Sequence, residues 1–145
     1  MVKITDYAEI GGDLEVFAFA ADRLNIDGVE VVVIHNEKIL NKFDSEKWHV
    51  NAIMHKTPIP NTYELIIRER PEDPLQLILC HEAIHLSQFV RGDLTLDMER
   101  KIFTWKGQTF PSDYDYQWRP WEREAFNGQG AILRAYRRSK RPKCR

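Results

Sequence analysis

The stretch Leu75-Gln76-Leu77-Ile78-Leu79-Cys80-His81-Glu82-Ala83-Ile84-His85-Leu86-Ser87-Gln88-Phe89-Val90 carries the fold and the chemistry of this chain together. Pro71 and Pro74 precede it and Gly92 follows it, the punctuation expected around a helix. Residues four apart on a helix lie about 40° apart around its axis, so His81 and His85 project together. That spacing lets two imidazoles grip one Zn²⁺. Glu82 lies about 100° round from His81, beside a metal instead of on it, where it can take a proton from water. Leu79, Ala83, Leu86 and Val90 fall on the opposite face and predict a core stripe that anchors the helix.

Outward from this helix the chain reads as an α+β domain. Gly11-Gly12-Asp13 leads into a helix with Leu14, Phe17, Ala18, Ala21 and Leu24 at helical spacing, broken at Asn25 to Gly28. Strands are expected at Val29–Ile34, Trp48–Lys56 and Thr62–Arg68. Tyr63 to Arg68 reads equally as an edge strand open to an extended peptide or as an interior strand. Leu94 to Trp105 followed by Thr109-Phe110, with Lys106-Gly107-Gln108 between, predicts a hairpin, and Asp113 to Trp118 an aromatic loop. Pro120 opens a last helix, whose middle is weakened by Gly128 and Gly130 at about 1 kcal/mol each relative to alanine.

A catalytic zinc needs a third protein ligand and an open position. His35, His49 and His55 all precede the pair, so a ligand from the C-terminal half must be a carboxylate. The candidates are Glu122 and Glu124, within Trp118-Arg119-Pro120-Trp121-Glu122-Arg123-Glu124-Ala125-Phe126. Phe126 and Leu133 extend an apolar sector past Glu122, which favours that residue as the inward one. On these two motifs the chain resembles the gluzincin metallopeptidases, which pair His-Glu-x-x-His with a later Glu-x-x-Ala. The resemblance implies that Glu122 is the ligand and Ala125 the small residue one turn on. It further implies a small zincin-like domain, with a mixed or antiparallel sheet packed on an active-site helix and a C-terminal helix. The pattern departs at Ser87, usually hydrophobic in the family, and at Phe126, where an acid is common.

Other polar residues have several readings. Gln88 returns to the His81 face and either orients a ligand or caps the helix end. Asp93 and Asp97 are imidazole acceptors or turn residues. Tyr114, Tyr116 and Tyr136 are donors to a developing oxyanion or packing residues. Trp105, Trp118 and Trp121 read as packing or cleft lining. His49 and His55, six apart on one strand, face the same side and could form a second metal site. Cys80 reads as a buried thiol.

Composition bounds the rest. The 145 residues, with 43% hydrophobic and 30% charged, have the size and balance of one folded domain that needs no disulfide scaffold. Two cysteines, Cys80 and Cys144, fit a reducing compartment, and Met1 to Asp6 lacks the layout of a signal peptide, so a cytoplasmic, membrane-free protein is expected. A net charge of -1 excludes a global argument for nucleic acid. Arg134, Arg137, Arg138, Lys140, Arg141, Lys143 and Arg145 nevertheless form a basic end. The expected organisation is a catalytic domain over 1–136 and a basic tail over 137–145.

Two functions follow. The first is a zinc hydrolase, a metallopeptidase by resemblance, acting on a peptide or protein substrate: His81, His85 and Glu122 hold Zn²⁺ and Glu82 activates water. The alternative is a non-catalytic metal-containing module that docks on nucleic acid or an acidic partner through its basic tail. Glu82 separates them, because a structural site has no use for a base beside its ligands.

Overall fold

The branched run at Val29 becomes the second of four strands in the larger of two sheets. The computed structural model describes residues 1–142. In it β1 (Lys3–Asp6), β2 (Glu30–Ile34), β3 (Ala52–Lys56) and β4 (Thr62–Ile67) pair in the order β1-β2-β4-β3. The first three of that order run parallel, and β3 is antiparallel to β4. Sheet strands buried on both faces read as apolar runs, and β4 shows this in Leu65, Ile66 and Ile67, all fully buried after the part-exposed Glu64. It is an interior strand, so of the two readings of Tyr63 to Arg68 the interior one holds.

Helices α1 (Leu14–Arg23) and α3 (Leu75–Val90) cover one face of this sheet, where Phe17, Val31, Leu65 and Leu79 share one core. A short helix α2 (Glu37–Asn41) covers part of the other face through Leu40 on Ile53 and Ile66. Helix α4 (Pro120–Ser139) packs along α3. A second sheet, β5 (Leu94–Asp97), β6 (Ile102–Trp105) and β7 (Gln108–Pro111), is an antiparallel meander. Its Leu94, Phe103 and Phe110 close on the fully buried Trp121 at the start of α4.

The α+β layout with a mixed sheet on the motif helix is therefore present, with several differences in detail. β1 and α2 are too short to leave a periodic signal. The strand expected from Trp48 starts only at Ala52, because Val50 N–H donates to Asp44 Oδ1 (2.7 Å) and Trp48 N–H to Ser45 Oγ (3.1 Å), local bonds that compete with a ladder. Leu94 to Trp105 is two strands instead of one, folded back around Asp97, whose carboxylate caps Arg100 N–H. The turn at Lys106-Gly107 has positive φ at both residues, as a tight hairpin requires.

Val90 does not join the core stripe of α3. It is 40% exposed, whereas Leu79, Ala83 and Leu86 are fully buried and the helix is enclosed on all sides from Ile78 to Gln88. Helix α4 continues through both glycines to Ser139, so the boundary expected after residue 136 falls inside a helix. Lys140 pairs with Glu15 beyond it, while Lys143, Cys144 and Arg145 lie outside the described residues. Among the described residues, no helix is long and apolar enough to cross a membrane.

The glycines of α4 differ in purpose. A Cβ on Gly128 would meet Ile84 Cδ1 at 3.0 Å, so this residue lets α4 approach α3. A Cβ on Gly130 would meet only the end of Arg134 at 3.3 Å. Gly130→Ala is expected to raise stability by about 0.5–1 kcal/mol through helix propensity. Gly128→Val is expected to lower it by about 1–3 kcal/mol through overpacking. Denaturant unfolding of the two variants checks both signs.

Candidate metal centre

His81 and His85 stand on the inward face of α3, and Glu122 on the first turn of α4, where a carboxylate also suits the positive end of the helix dipole. All three are buried. His81 Nε2 and His85 Nε2 are 3.0 Å apart, and each lies 2.9 Å from Glu122 Oε1. Bonds of about 2.0–2.1 Å in a tetrahedron place ligand atoms roughly 3.3 Å from one another, so the three atoms need only spread slightly around an ion.

The second nitrogens of the rings determine what the first ones offer. Gln88 donates its amide to the Trp121 carbonyl (3.0 Å) and to Glu124 Oε1 (3.0 Å), which leaves its oxygen facing His85 Nδ1 at 2.8 Å. His85 Nδ1–H therefore donates to Gln88, and His81 Nδ1–H to Gln129 Oε1 at 2.6 Å. Both Nε2 lone pairs then point at one place, beside a carboxylate oxygen. Such an arrangement calls for a cation, and these buried residues could hold a metal ion.

In the metal-free protein a proton takes that role. Burial disfavours the charged ring of His85, but the Glu122 carboxylate outweighs it and pushes the pKa up to about 9. For Glu122, burial acts upward and is overcome by the charge of His85 and the hydrogen bonds from both rings, which hold it well below the usual carboxylate range. Glu82 is buried next to the pair and lines the cavities on both sides of it. Burial raises its pKa against the pull of His85 and His81, and its Oε1 has no hydrogen-bond partner. A buried carboxylate oxygen left without a partner costs free energy, and a bound water or cation at this point would satisfy it.

The structure thus gathers His81, Glu82, His85 and Glu122 and separates Glu124, which bonds Gln88 and Arg91 instead. Of the remaining candidates, Gln88 orients His85, while Asp93 pairs with Arg91 and Asp97 caps a turn. Tyr116 lines both cavities, with its hydroxyl pKa held high by burial and by Glu122 and Glu82. Tyr114 stacks on Phe110 at the cavity edge, and Tyr136 packs on Phe19. Phe126, expected in the apolar sector of α4, is 52% exposed and lays its ring against His81 at 4.8 Å. Trp121 is core, Trp105 packs beside it and Trp118 is exposed.

His49 and His55 do not form a second site. His55 Nε2 bonds Glu64 Oε1 at 2.8 Å, and His49 lies off the strand near Asp44, so the pair shares no centre. Cys80 is buried, and burial pushes its thiol up to about 11. Gln129 was not singled out by sequence. Its signal was available, since it lies seven residues after Glu122 and returns to the same helix face.

Two cavities of about 250 and 290 Å³ flank the cluster. The first opens on His85 and mixes Met54, Phe89, Leu96 and Phe103 with Lys42, Asp44, Lys101 and Arg119. The second opens on His81 and mixes Asn51, Glu72, Asp73 and Gln129 with Leu77, Ile78 and Phe126. Comparison with protein families, curated proteins and solved structures finds no match for this chain.

The pKa shifts set a pH dependence for chelator-treated protein. The raised His85 contributes stability that is complete below about 6.5 and is lost as pH rises through about 9. The depressed Glu122 contributes stability present above 4.5 and lost as pH falls. The raised Glu82 adds a loss of its own as pH rises above 4.5, so the metal-free melting temperature is expected to fall from about pH 6.5 toward pH 9.5, with a smaller fall in His85→Ala than in the parent protein. Thermal unfolding across that range tests it.

Proposed function

We propose that this chain is a zinc-dependent hydrolase and that its substrates are peptides or proteins. The observation that carries the reading is the orphaned, buried carboxylate of Glu82 beside two imidazoles and a carboxylate that converge on one point. Two neutral imidazoles and one carboxylate suit zinc, and three protein ligands leave an open position. His81, His85 and Glu122 would hold the ion, which when bound supplies an acidified water and polarises a carbonyl.

The residues of the chain do the rest. Gln88 and Gln129 keep the rings in the tautomer that presents Nε2. Glu82 Oε1 accepts the proton from water and returns it to the leaving nitrogen. Tyr116 donates its hydroxyl proton's hydrogen bond to the substrate oxygen as charge builds there, and its high pKa keeps it a donor. The choice of a peptide bond among amides and esters rests on the resemblance of His81-Glu82-x-x-His85 and Glu122-x-x-Ala125 to the gluzincins. A site used only for structure gains nothing from an unpaired buried base, which favours the enzyme over a docking module.

Purified protein is expected to bind one zinc, and both His81→Ala and Glu122→Ala to lose it. Glu82→Gln is expected to keep the metal while hydrolysis of a peptide library falls by roughly 10²–10⁴-fold, the usual size of general-base catalysis. Metal analysis beside library turnover checks both, and equal cleavage by Glu82→Gln and wild type ends the catalytic assignment.

A further inference from the structure

Arg119 immediately precedes α4 and is 9% exposed. Its guanidinium lies between two rings, 5.2 Å from the centroid of Phe103 and 5.0 Å from that of Tyr116. Nε–H donates to the Tyr114 carbonyl and Nη2–H to the Ser112 carbonyl, and Nη1 has no protein partner among the described residues. Burial lowers the pKa of the group against the pull of Glu122, Tyr116, Asp115 and Asp113. Among the described residues, no carboxylate forms an ion pair with it. A buried cation that bonds only neutral carbonyls leaves part of its desolvation cost unmet.

Arg119 lines the cavity of about 250 Å³ on the His85 side. So does Trp121, which is fully buried and whose indole Nε1–H has no partner. An indole N–H and a guanidinium only donate, so both residues lack the same thing, an acceptor. Lys42 and Lys101 stand at exposed positions in the same wall, and neither forms an ion pair among the described residues. The acids of this wall do not fill the gap. Asp44 accepts from Arg68 and from Val50 N–H, and Asp113 is exposed. Glu122 bonds the two imidazoles, with Glu82 buried beside them.

We propose that the cavity on the His85 side is a carboxylate-binding subsite, in which Arg119 and the indole N–H of Trp121 hold an oxyanion of the substrate. This rests on the hydrolase reading and names the substrate class for the same site: a peptide with a free carboxylate close to the bond that is cut. That carboxylate is the C-terminus itself or an acidic side chain, which offer the same two oxygens. A planar guanidinium with its faces covered by rings presents N–H groups at its edge, the geometry that suits a carboxylate.

The test uses full-length, zinc-loaded protein and binding alone. Three probes anchor on the metal through a thiol: mercaptoacetyl-alanine with a free C-terminus, neutral mercaptoacetyl-alaninamide, and mercaptoacetyl-aspartic acid α-amide, whose only carboxylate is on its side chain. Affinities are measured by calorimetry, and each acid is compared with the neutral amide on the same variant, so losses of folded or metal-loaded protein cancel. In wild type one acid is expected to bind roughly tenfold or more tightly than the amide, the scale of a hydrogen bond to a charged group. Which acid gains tells the C-terminus from the side chain. Arg119→Gln is expected to bring the ratio close to one, and Arg119→Lys, which keeps the charge, to retain part of it. Trp121→Phe keeps a ring in the core, removes the N–H and is expected to cut the ratio several-fold, which holds the test open should Arg119→Gln not fold. An arginine that only braced its loop would weaken all three probes alike. A ratio near one for both acids in wild type, or an unchanged ratio in either Arg119→Gln or Trp121→Phe, overturns the proposal and leaves the hydrolase reading intact, since the neutral amide still reports the metal. Failure of all three probes to bind removes the metal site and the proposal with it.

Discussion

Two nitrogen lone pairs and a carboxylate oxygen held within 3.0 Å of one another, away from bulk water, repel unless a positive charge lies among them. The surrounding structure is arranged to impose that crowding. Gln88 and Gln129 prevent the rings from turning their N–H groups inward, and Gly128 lets α4 come close enough for Glu122 to reach. Trp121, buried in the core of the small sheet, fixes the first turn of α4 next to the ligand it carries. The interface between α3 and α4 thus holds a buried polar cluster that could take a metal ion, set within an apolar seam.

How much of this was legible in the sequence depends on whether the signal was local. His81, Glu82 and His85 lie within one and a half turns of one helix, so spacing alone predicts that the two imidazoles share a face with Glu82 beside it. The strand at Val29 and the helix breaks at Asn25 and Gly92 are equally local. Glu122 needed a choice between two acids two residues apart, and the structure decides it by giving Glu124 to Gln88 and Arg91. The errors lie where a tertiary contact overrides pattern. Trp48 to Asn51 has strand-like residues but is captured by Asp44, Ser45 and Arg68. Phe126 reads as core by periodicity and instead covers a ligand imidazole from outside. The four-residue strand β1 has no period to read.

The cleft walls follow the same economy. Each is an irregular segment, and irregular backbone holds a shape only where its polar groups are satisfied. Arg68 does this with four side-chain hydrogen bonds and Arg119 with two, to carbonyl, carboxylate and amide oxygens. Neither guanidinium bonds a candidate ligand, yet Arg119 lines the cavity on the His85 side and Arg68 holds Asp44 and Val50, which line it too.

The cluster also joins distant parts of the chain. His85 and Glu122 are separated by 37 residues, and the whole of the small sheet lies between them. A cation shared by these side chains would act as a cross-link closing that loop, so the unfolded chain would lose entropy much as it does with a disulfide. The histidine pair lies on one helix, whereas the acid stands on another, whose first turn is set by the meander packed on Trp121. Tight capture of an ion would then require both halves of the molecule to be in place at once.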